Sequence, residues 1–349
     1  WVIGVYGLTQ AALQLPLGYL SDKYGRKPII IFGLGLFVLG SLIAALSHSM
    51  LGLFMGRALQ GAGAIGSTIL ALTADLTRPE IRTKAMAIIG ISIGFSFLLA
   101  MMIAPLVTTF FGLQGIFWFT LVLGLLGILW FLKAVPNTKE QAYFKGGIRS
   151  LLSILKNTQV LRLNLSVLFL HAQFSAIFLY LPAYLKQRLQ LPESQMWAFY
   201  VPVLFAALLF MGPMLRFADK RRFEKGVMIL GILLLAASHA ALGFYPLSSI
   251  WIYGVMAVFF AAFNLLEAQL PSWVSKIVPP NQKGASLGLY STFQFFGIFL
   301  GSVVGGILNQ SMGMMGVSLW CVLLLLLWLI GVLDLKSPNL ATVEKTTTS

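Results

Sequence analysis

Gly18, Tyr19, Leu20, Ser21, Asp22, Lys23, Tyr24, Gly25, Arg26, Lys27 separates two long apolar stretches, and its reading decides the fold. Asp22, Lys23, Arg26 and Lys27 crowd into a segment flanked on each side by about twenty mostly apolar positions, the length a helix needs to cross hydrocarbon. Such a segment is a turn in water between two membrane helices. Gly18 allows a neighbouring helix to approach closely, Gly25 permits a tight turn, and the basic residues hold the loop at an anionic leaflet. A plain basic turn accounts for the lysines and arginine, but for neither Asp22 nor the two glycines.

Working outward, 58% of the 349 residues are apolar and only 10% are charged, too little polar surface to cover a soluble domain. Eleven candidate spans follow, at about residues 1–20, 28–47, 50–75, 83–111, 115–133, 162–186, 194–216, 225–245, 249–275, 284–310 and 314–334. A net charge of +14 raises the possibility of a nucleic-acid partner, but the basic residues lie in the wrong places for one. Apart from Arg57, inside a span, and Lys186 and Arg188, all 24 lysines and arginines fall in alternate connections between spans. That is the positive-inside asymmetry. It puts the basic loops and the tail after Leu335 in the cytoplasm of a multi-pass inner-membrane protein, and Trp1 near the outer side. The partners expected are membrane lipids and a small-molecule substrate.

The one long connection divides the chain into an N-terminal bundle at 1–133, a cytoplasmic linker at 134–161, a C-terminal bundle at 162–335 and a cytoplasmic tail at 336–349. Within the linker, Ile148, Leu151, Leu152 and Leu155 recur at helical spacing beside Arg149 and Lys156, as in a helix lying on the membrane surface. A polar linker with no apolar face is the competing reading. A repeat of roughly 200 residues relates the bundles: Asp22 and Lys23 correspond to Asp219 and Lys220, and Arg78, Pro79, Arg82 and Ala85 to Pro279, Pro280, Lys283 and Ala285. Equivalent halves leave the first short by one helix. Cys321 stands alone, so no disulfide framework is implied.

Several residues carry chemistry. Arg57 lies about 10 Å inside its span by helix rise, where a permanent charge requires a cavity, a partner or a route to the surface. Glu267, about 13 Å deep, is the one acidic residue well inside any span. Removing a carboxyl group from water favours its neutral form, which suits a residue that takes up and gives off protons; a purely structural pairing is the alternative. His171 fits either a proton or substrate role, or a hydrogen bond in the packing. Tyr6, Gln10 and Gln14, then His171 and Ser175, then Tyr290 and Gln294 fall at i and i+4, so each set shares a helix face that would line a cavity or hydrogen-bond between helices. Gly61, Gly63 and Gly66 satisfy the dinucleotide pattern GxGxxG, but that fingerprint needs a preceding strand, and here it lies in a membrane helix. No metal site and no cofactor are expected: His48, His171 and His239 are dispersed along the chain.

Residues 18–27 resemble the signature of the loop between the second and third helices of the major facilitator superfamily. Arg57, Gln60, Gly61, Gly63 and Ala64 resemble its fourth-helix motif. Gly90, Gly94, Ala100, Ala104 and Pro105 resemble a degenerate form of the fifth-helix pattern of its exporters. His171 and Pro182, the run Asn264, Leu265, Leu266, Glu267, Ala268, Gln269, Leu270, Pro271, Ser272, and Tyr290 to Phe295 are similar to the YajR-type branch, without its C-terminal soluble domain. The resemblance implies an all-α membrane protein of two pseudo-symmetric six-helix bundles, here with the first helix missing, so that the visible spans are helices 2–6 and 7–12. It implies a monomeric secondary transporter rather than an enzyme, driven by a proton gradient and working by alternating access. The expected roles are proton coupling for Glu267, Arg57 and His171; a substrate cavity at Gln10, Gln14, Gln60, Asn264, Tyr290 and Gln294; and a conformational latch at Gly18, Asp22, Gly25, Arg26, Lys27 and Asp75. Efflux by proton antiport is the leading reading, and a facilitator or proton symporter importing a nutrient is the alternative.

Overall fold

The computed structural model describes residues 1–77, 79–136, 154–192, 195–221, 223–278 and 283–336, which divide into two compact units at Ser150/Leu151. Most of the linker 134–161, including the expected surface helix up to residue 153, and the tail after Lys336 lie outside the described residues. The first unit contains α1 (Val2–Tyr24), α2 (Arg26–Leu46), α3 (Met50–Ala62), α4 (Gly66–Leu76) and α5 (Pro79–Ala134). The second contains α6 (Thr158–Leu189), α7 (Met196–Arg221), α8 (Glu224–Phe244), α9 (Ser249–Ile277) and α10 (Lys283–Leu333).

At 1.5 Å per residue a helix of 56 residues would run for about 84 Å, far beyond a bilayer. α5 avoids this at Gly112, whose φ of 65° breaks the helix. The C-terminal end of α5 and the end of α4 then lie at the start of α2. Asp75, at the end of α4, pairs with Arg26 there, and Lys27 Nζ donates to the carbonyl oxygens of Leu132 and Val135 at 3.3 and 2.5 Å. The second arm runs antiparallel to α2, with Phe117 packed on Ala44 and Ala45 and with Thr120 Oγ1 3.4 Å from Ser41 Oγ.

The second unit repeats this plan. α10 breaks at Gly313, φ 62°. Lys225 Nζ, at the start of α8, donates to the Leu333 carbonyl at 2.5 Å, as Lys27 does in the first unit. The ion pair between the helix starting after the loop and the helix before the long hairpin is also repeated, with its charges exchanged: Lys276 on α9 pairs with Glu224 on α8 at 2.8 Å. The repeat is thus visible in the helix-end contacts. The side chains of Asp22, Asp219 and Lys220, and the paired turns around Arg78 and Pro279, lie outside the described residues.

Among the described residues, six stretches are long and apolar enough to cross a membrane: Arg26–Leu46, Met102–Ala134, Thr158–Leu189, Glu224–Phe244, Ser249–Val274 and Ser286–Leu333. The expected count of eleven is not reached on this measure. The span expected at 50–75 is broken at Gly63–Ile65 into α3 and α4, and Met196–Phe210 is a shorter apolar helix. In the second unit Trp273, Trp328, Phe199 and Phe259 are fully enclosed, and Trp328 Nε1 donates to Ser166 Oγ at 2.8 Å.

Candidate functional site

In the first unit a polar chain crosses from α1 to α2. The guanidinium carbon of Arg57 stands 4.3 Å from the centre of the Tyr6 ring. Its Nη1 donates to Gln60 Oε1 at 2.8 Å, and Gln60 Nε2 donates to Ser41 Oγ at 2.7 Å. Arg57 is therefore turned into the bundle and held by an aromatic face and an amide, a weakly hydrated cation's usual partners. Small residues make this crossing possible. A Cβ on Gly40 would come within 2.6 Å of the Gly56 carbonyl oxygen, and one on Gly61 or Gly63 would strike the backbone of Tyr6 or Gly33. The glycine run is a packing seam at the break between α3 and α4. Gln14 and Gln60, expected to line a cavity, are buried, and Gln14 lies against Gly66. Ser41 and Thr120 carried no motif that would have drawn attention to them.

At the end of the same bundle, Arg26 Nε meets Asp75 Oδ2 at 3.1 Å and Arg26 Nη1 donates to Ser21 Oγ at 2.7 Å. Gly25, at φ 93°, makes the turn that delivers Arg26. Two expectations are corrected here. Gly18 is not required for close approach, since a Cβ there would make an ordinary contact of 3.4 Å with Ser67 Oγ. Lys27 is committed to the carbonyls that end α5, whereas the loop reading sent its ammonium to the leaflet. The Asp22 side chain lies outside the described residues.

The two ion pairs differ in their helix-end electrostatics. Arg26 begins α2 and Asp75 sits in the last turn of α4, the ends where the helix dipole opposes each charge. Glu224 begins α8 and Lys276 ends α9, where the dipole supports both. The Arg26–Asp75 attraction therefore works against both helix ends, with Ser21 Oγ as a further partner of Arg26, whereas the Glu224–Lys276 attraction works with them.

The second unit gathers the other expected residues. Gly297, Gly301 and Gly305, spaced by one turn on α10, lie directly on the backbone of Leu168, Ala172 and Ala176 of α6. This contact brings His171 and Gln294 together: Gln294 Nε2 is 2.9 Å from His171 Nε2 and donates to Glu267 Oε1 of α9 at 3.3 Å. His171 Nε2 is 3.6 Å from Glu267 Oε2, and His171 Nδ1 is 3.2 Å from the Val167 carbonyl oxygen. Glu267 is the most open of the three, 35% exposed against 9% for His171. Tyr290 is buried one turn before Gln294, within the field of Glu267, and Asn264 is half-buried one turn before Glu267. Phe263 stacks on Phe174 at 4.2 Å and meets the His171 ring edge-on at 5.7 Å.

Ser175, expected on the His171 face, instead bonds Ser302 at 2.8 Å. A separate buried pair escaped the sequence reading, His239 Nε2 with Gln173 Oε1 at 2.7 Å; only the presence of both side chains in apolar spans could have signalled it. Among the described residues, no cluster of three His, Cys, Asp or Glu has the makings of a metal site.

The profile of the Major Facilitator Superfamily matches residues 1–302. The chain belongs to the major facilitator superfamily. It is 39% identical over 344 residues to the inner membrane transport protein YajR of Escherichia coli K12, covering 96% of this chain and 74% of that longer protein. A shorter likeness, 34% over 140 residues, links 40% of this chain to 36% of multidrug resistance protein D of the same strain. The crystal structure of the human organic anion transporter MFSD10 shares the fold, with a TM-score of 0.68 at 21% identity over 95% of this chain and 83% of that one. The chain is accordingly a multi-pass membrane transporter of this superfamily and not an enzyme, and its resemblance to YajR extends across nearly its whole length.

Proposed function

We propose that this protein is a proton-coupled exporter of small organic compounds in the inner membrane, acting as a monomer by alternating access, with the basic loops and tail in the cytoplasm. The observation that carries the reading is the meeting of Glu267, His171 and Gln294 on three different helices, with the carboxyl half-open and the imidazole enclosed. An ionisable residue at membrane depth is expensive and marks a functional path. Glu267 and His171 exchange the proton, and Arg57, the permanent cation of the first unit, tunes the coupling. Gln10, Gln14, Gln60, Asn264, Tyr290 and Gln294 form the polar part of the substrate path. Asp22, Arg26 and Asp75, with the Gly18 to Lys27 turn, latch the cytoplasmic side. The names of YajR and of multidrug resistance protein D support transport at the inner membrane and efflux, respectively.

The test uses everted vesicles energised with a proton gradient, in which a panel of lipophilic compounds is screened for compound-induced proton release. Wild type should release protons with at least one compound, and Glu267→Gln should not. Retention of that response in Glu267→Gln would remove Glu267 from the coupling. Reversing the imposed gradient reads direction: movement of compound with the proton would make the protein an importer.

A further inference from the structure

The His171, Gln294 and Glu267 contacts define one protonation state. With Glu267 ionised, its Oε1 is an acceptor, and the Gln294 atom 3.3 Å away is the amide nitrogen; the amide oxygen there would face another oxygen. That same nitrogen is 2.9 Å from His171 Nε2, which must therefore accept and carry no hydrogen. His171 Nδ1 faces the Val167 carbonyl oxygen at 3.2 Å, where only an N–H can bond. The two ends of the ring agree: the imidazole is neutral with its hydrogen on Nδ1. Glu267 Oε2, buried 3.6 Å from His171 Nε2, has no hydrogen-bond partner among the described residues.

We infer that Gln294 is a proton interlock: its single amide nitrogen pins the unprotonated His171–Glu267 pair, and the arriving proton lies on the His171 Nε2 to Glu267 Oε2 line only when the amide turns. A proton on Nε2 converts it from acceptor to donor, so the Gln294 N–H groups can no longer face it. The new N–H finds Glu267 Oε2, and the pair passes from one negative charge to neutral as a unit. Turning the amide takes the Gln294 N–H groups away from the protonated Nε2, whose N–H then belongs to Glu267 Oε2. Glu267 faces His171 from α9 and Gln294 from α10, Tyr290 of α10 stands in the field of Glu267, and the Phe263 ring meets the imidazole edge-on. Because Gln294 belongs to α10, the turn ties protonation to the helix that packs along α6 through Gly297, Gly301 and Gly305. The role differs from that of a substrate ligand, and it deepens the proposed coupling at Glu267 and His171.

The test needs no substrate, because the proton itself is the probe. The full chain, purified in lipid nanodiscs with 15N in histidine and glutamine, is followed by NMR across pH; it has only three histidines, and the Gln294 signal is assigned by its loss in Gln294→Met. The side-chain amide signal of Gln294 should shift over the same pH interval as the His171 ring signals, and in His171→Phe that pH dependence should be lost. A Gln294 amide that stays fixed while His171 titrates, or that shifts unchanged in His171→Phe, overturns the interlock. Should His171→Phe fail to fold, Gln294→Glu decides in its place. It keeps the volume but loses the donor, so the wild-type pattern of one neutral His171 tautomer giving way to the doubly protonated ring should be lost. If the wild-type pattern persists, the interlock falls. Failure of the transport reading is recognised separately, by the absence of compound-induced proton release in wild type.

Discussion

Replacing Gly301 with alanine adds one methyl group where α10 lies on α6. The new Cβ would stand 2.0 Å from the Ala172 carbonyl oxygen. Carbon and carbonyl oxygen rest about 3.3–3.6 Å apart, so the helices must separate by about 1.3–1.6 Å at that level. Gln294 sits two turns away on the same helix. If the separation reaches it undiminished, its contact with His171 lengthens from 2.9 Å to about 4.2–4.5 Å, outside hydrogen-bond range. Overpacking of this size costs about 1–3 kcal/mol. Both consequences are measurable in one preparation. Cys321 is the single cysteine and is fully buried on the second arm of α10, so a thiol-reactive fluorophore reports unfolding on heating. Gly301→Ala should lower the midpoint by several degrees and weaken compound-induced proton release. Gly254→Ala, where a Cβ meets nothing within 4 Å, is the control and should be neutral or slightly stabilising. Wild-type melting and wild-type coupling in Gly301→Ala would refute the close-packing account of how His171 and Gln294 are brought together.

Asp75→Asn leaves Arg26 at a helix end that repels it, so turnover should fall several-fold with apparent affinity for the transported compound kept; an unchanged rate under initial-velocity conditions counts against the latch. Lys276→Met strands the nearly buried Glu224 carboxylate, but the helix start supports that charge and Lys276 is itself 44% exposed, so the loss should be about 1–2 kcal/mol by thermal unfolding, and smaller in high salt. Ser41→Ala removes the acceptor for Gln60 Nε2 and loosens the hold on Arg57, costing about 1 kcal/mol by the same assay; a loss no larger than that of an exposed serine such as Ser92 would show that the polar chain is not structural.

What could be read without coordinates followed from one-dimensional physics. Hydrocarbon demands long apolar runs, the anionic cytoplasmic face sorts lysine and arginine, and a turn leaving the membrane must spend glycine and charge in a short interval, so residues 18–27, Arg57 and Glu267 declared the membrane class, the superfamily and the candidate charges. Gly25 kept its predicted turn. Other readings failed because they depend on what lies across a helix interface. Nothing in the spacing of His171 and Ser175 indicates that the first meets Gln294 and Glu267 while the second meets Ser302. Nothing local exchanges the signs of the Arg26–Asp75 and Glu224–Lys276 pairs, or sends Lys27 to the end of α5 rather than to lipid. Apolar periodicity reports that a face is buried; the partner on that face is chosen by helix ends and small residues over a hundred positions apart, as Gly297 and Leu168 are. Sequence alone determined that charges sit in apolar spans, and tertiary packing decided which of them meet.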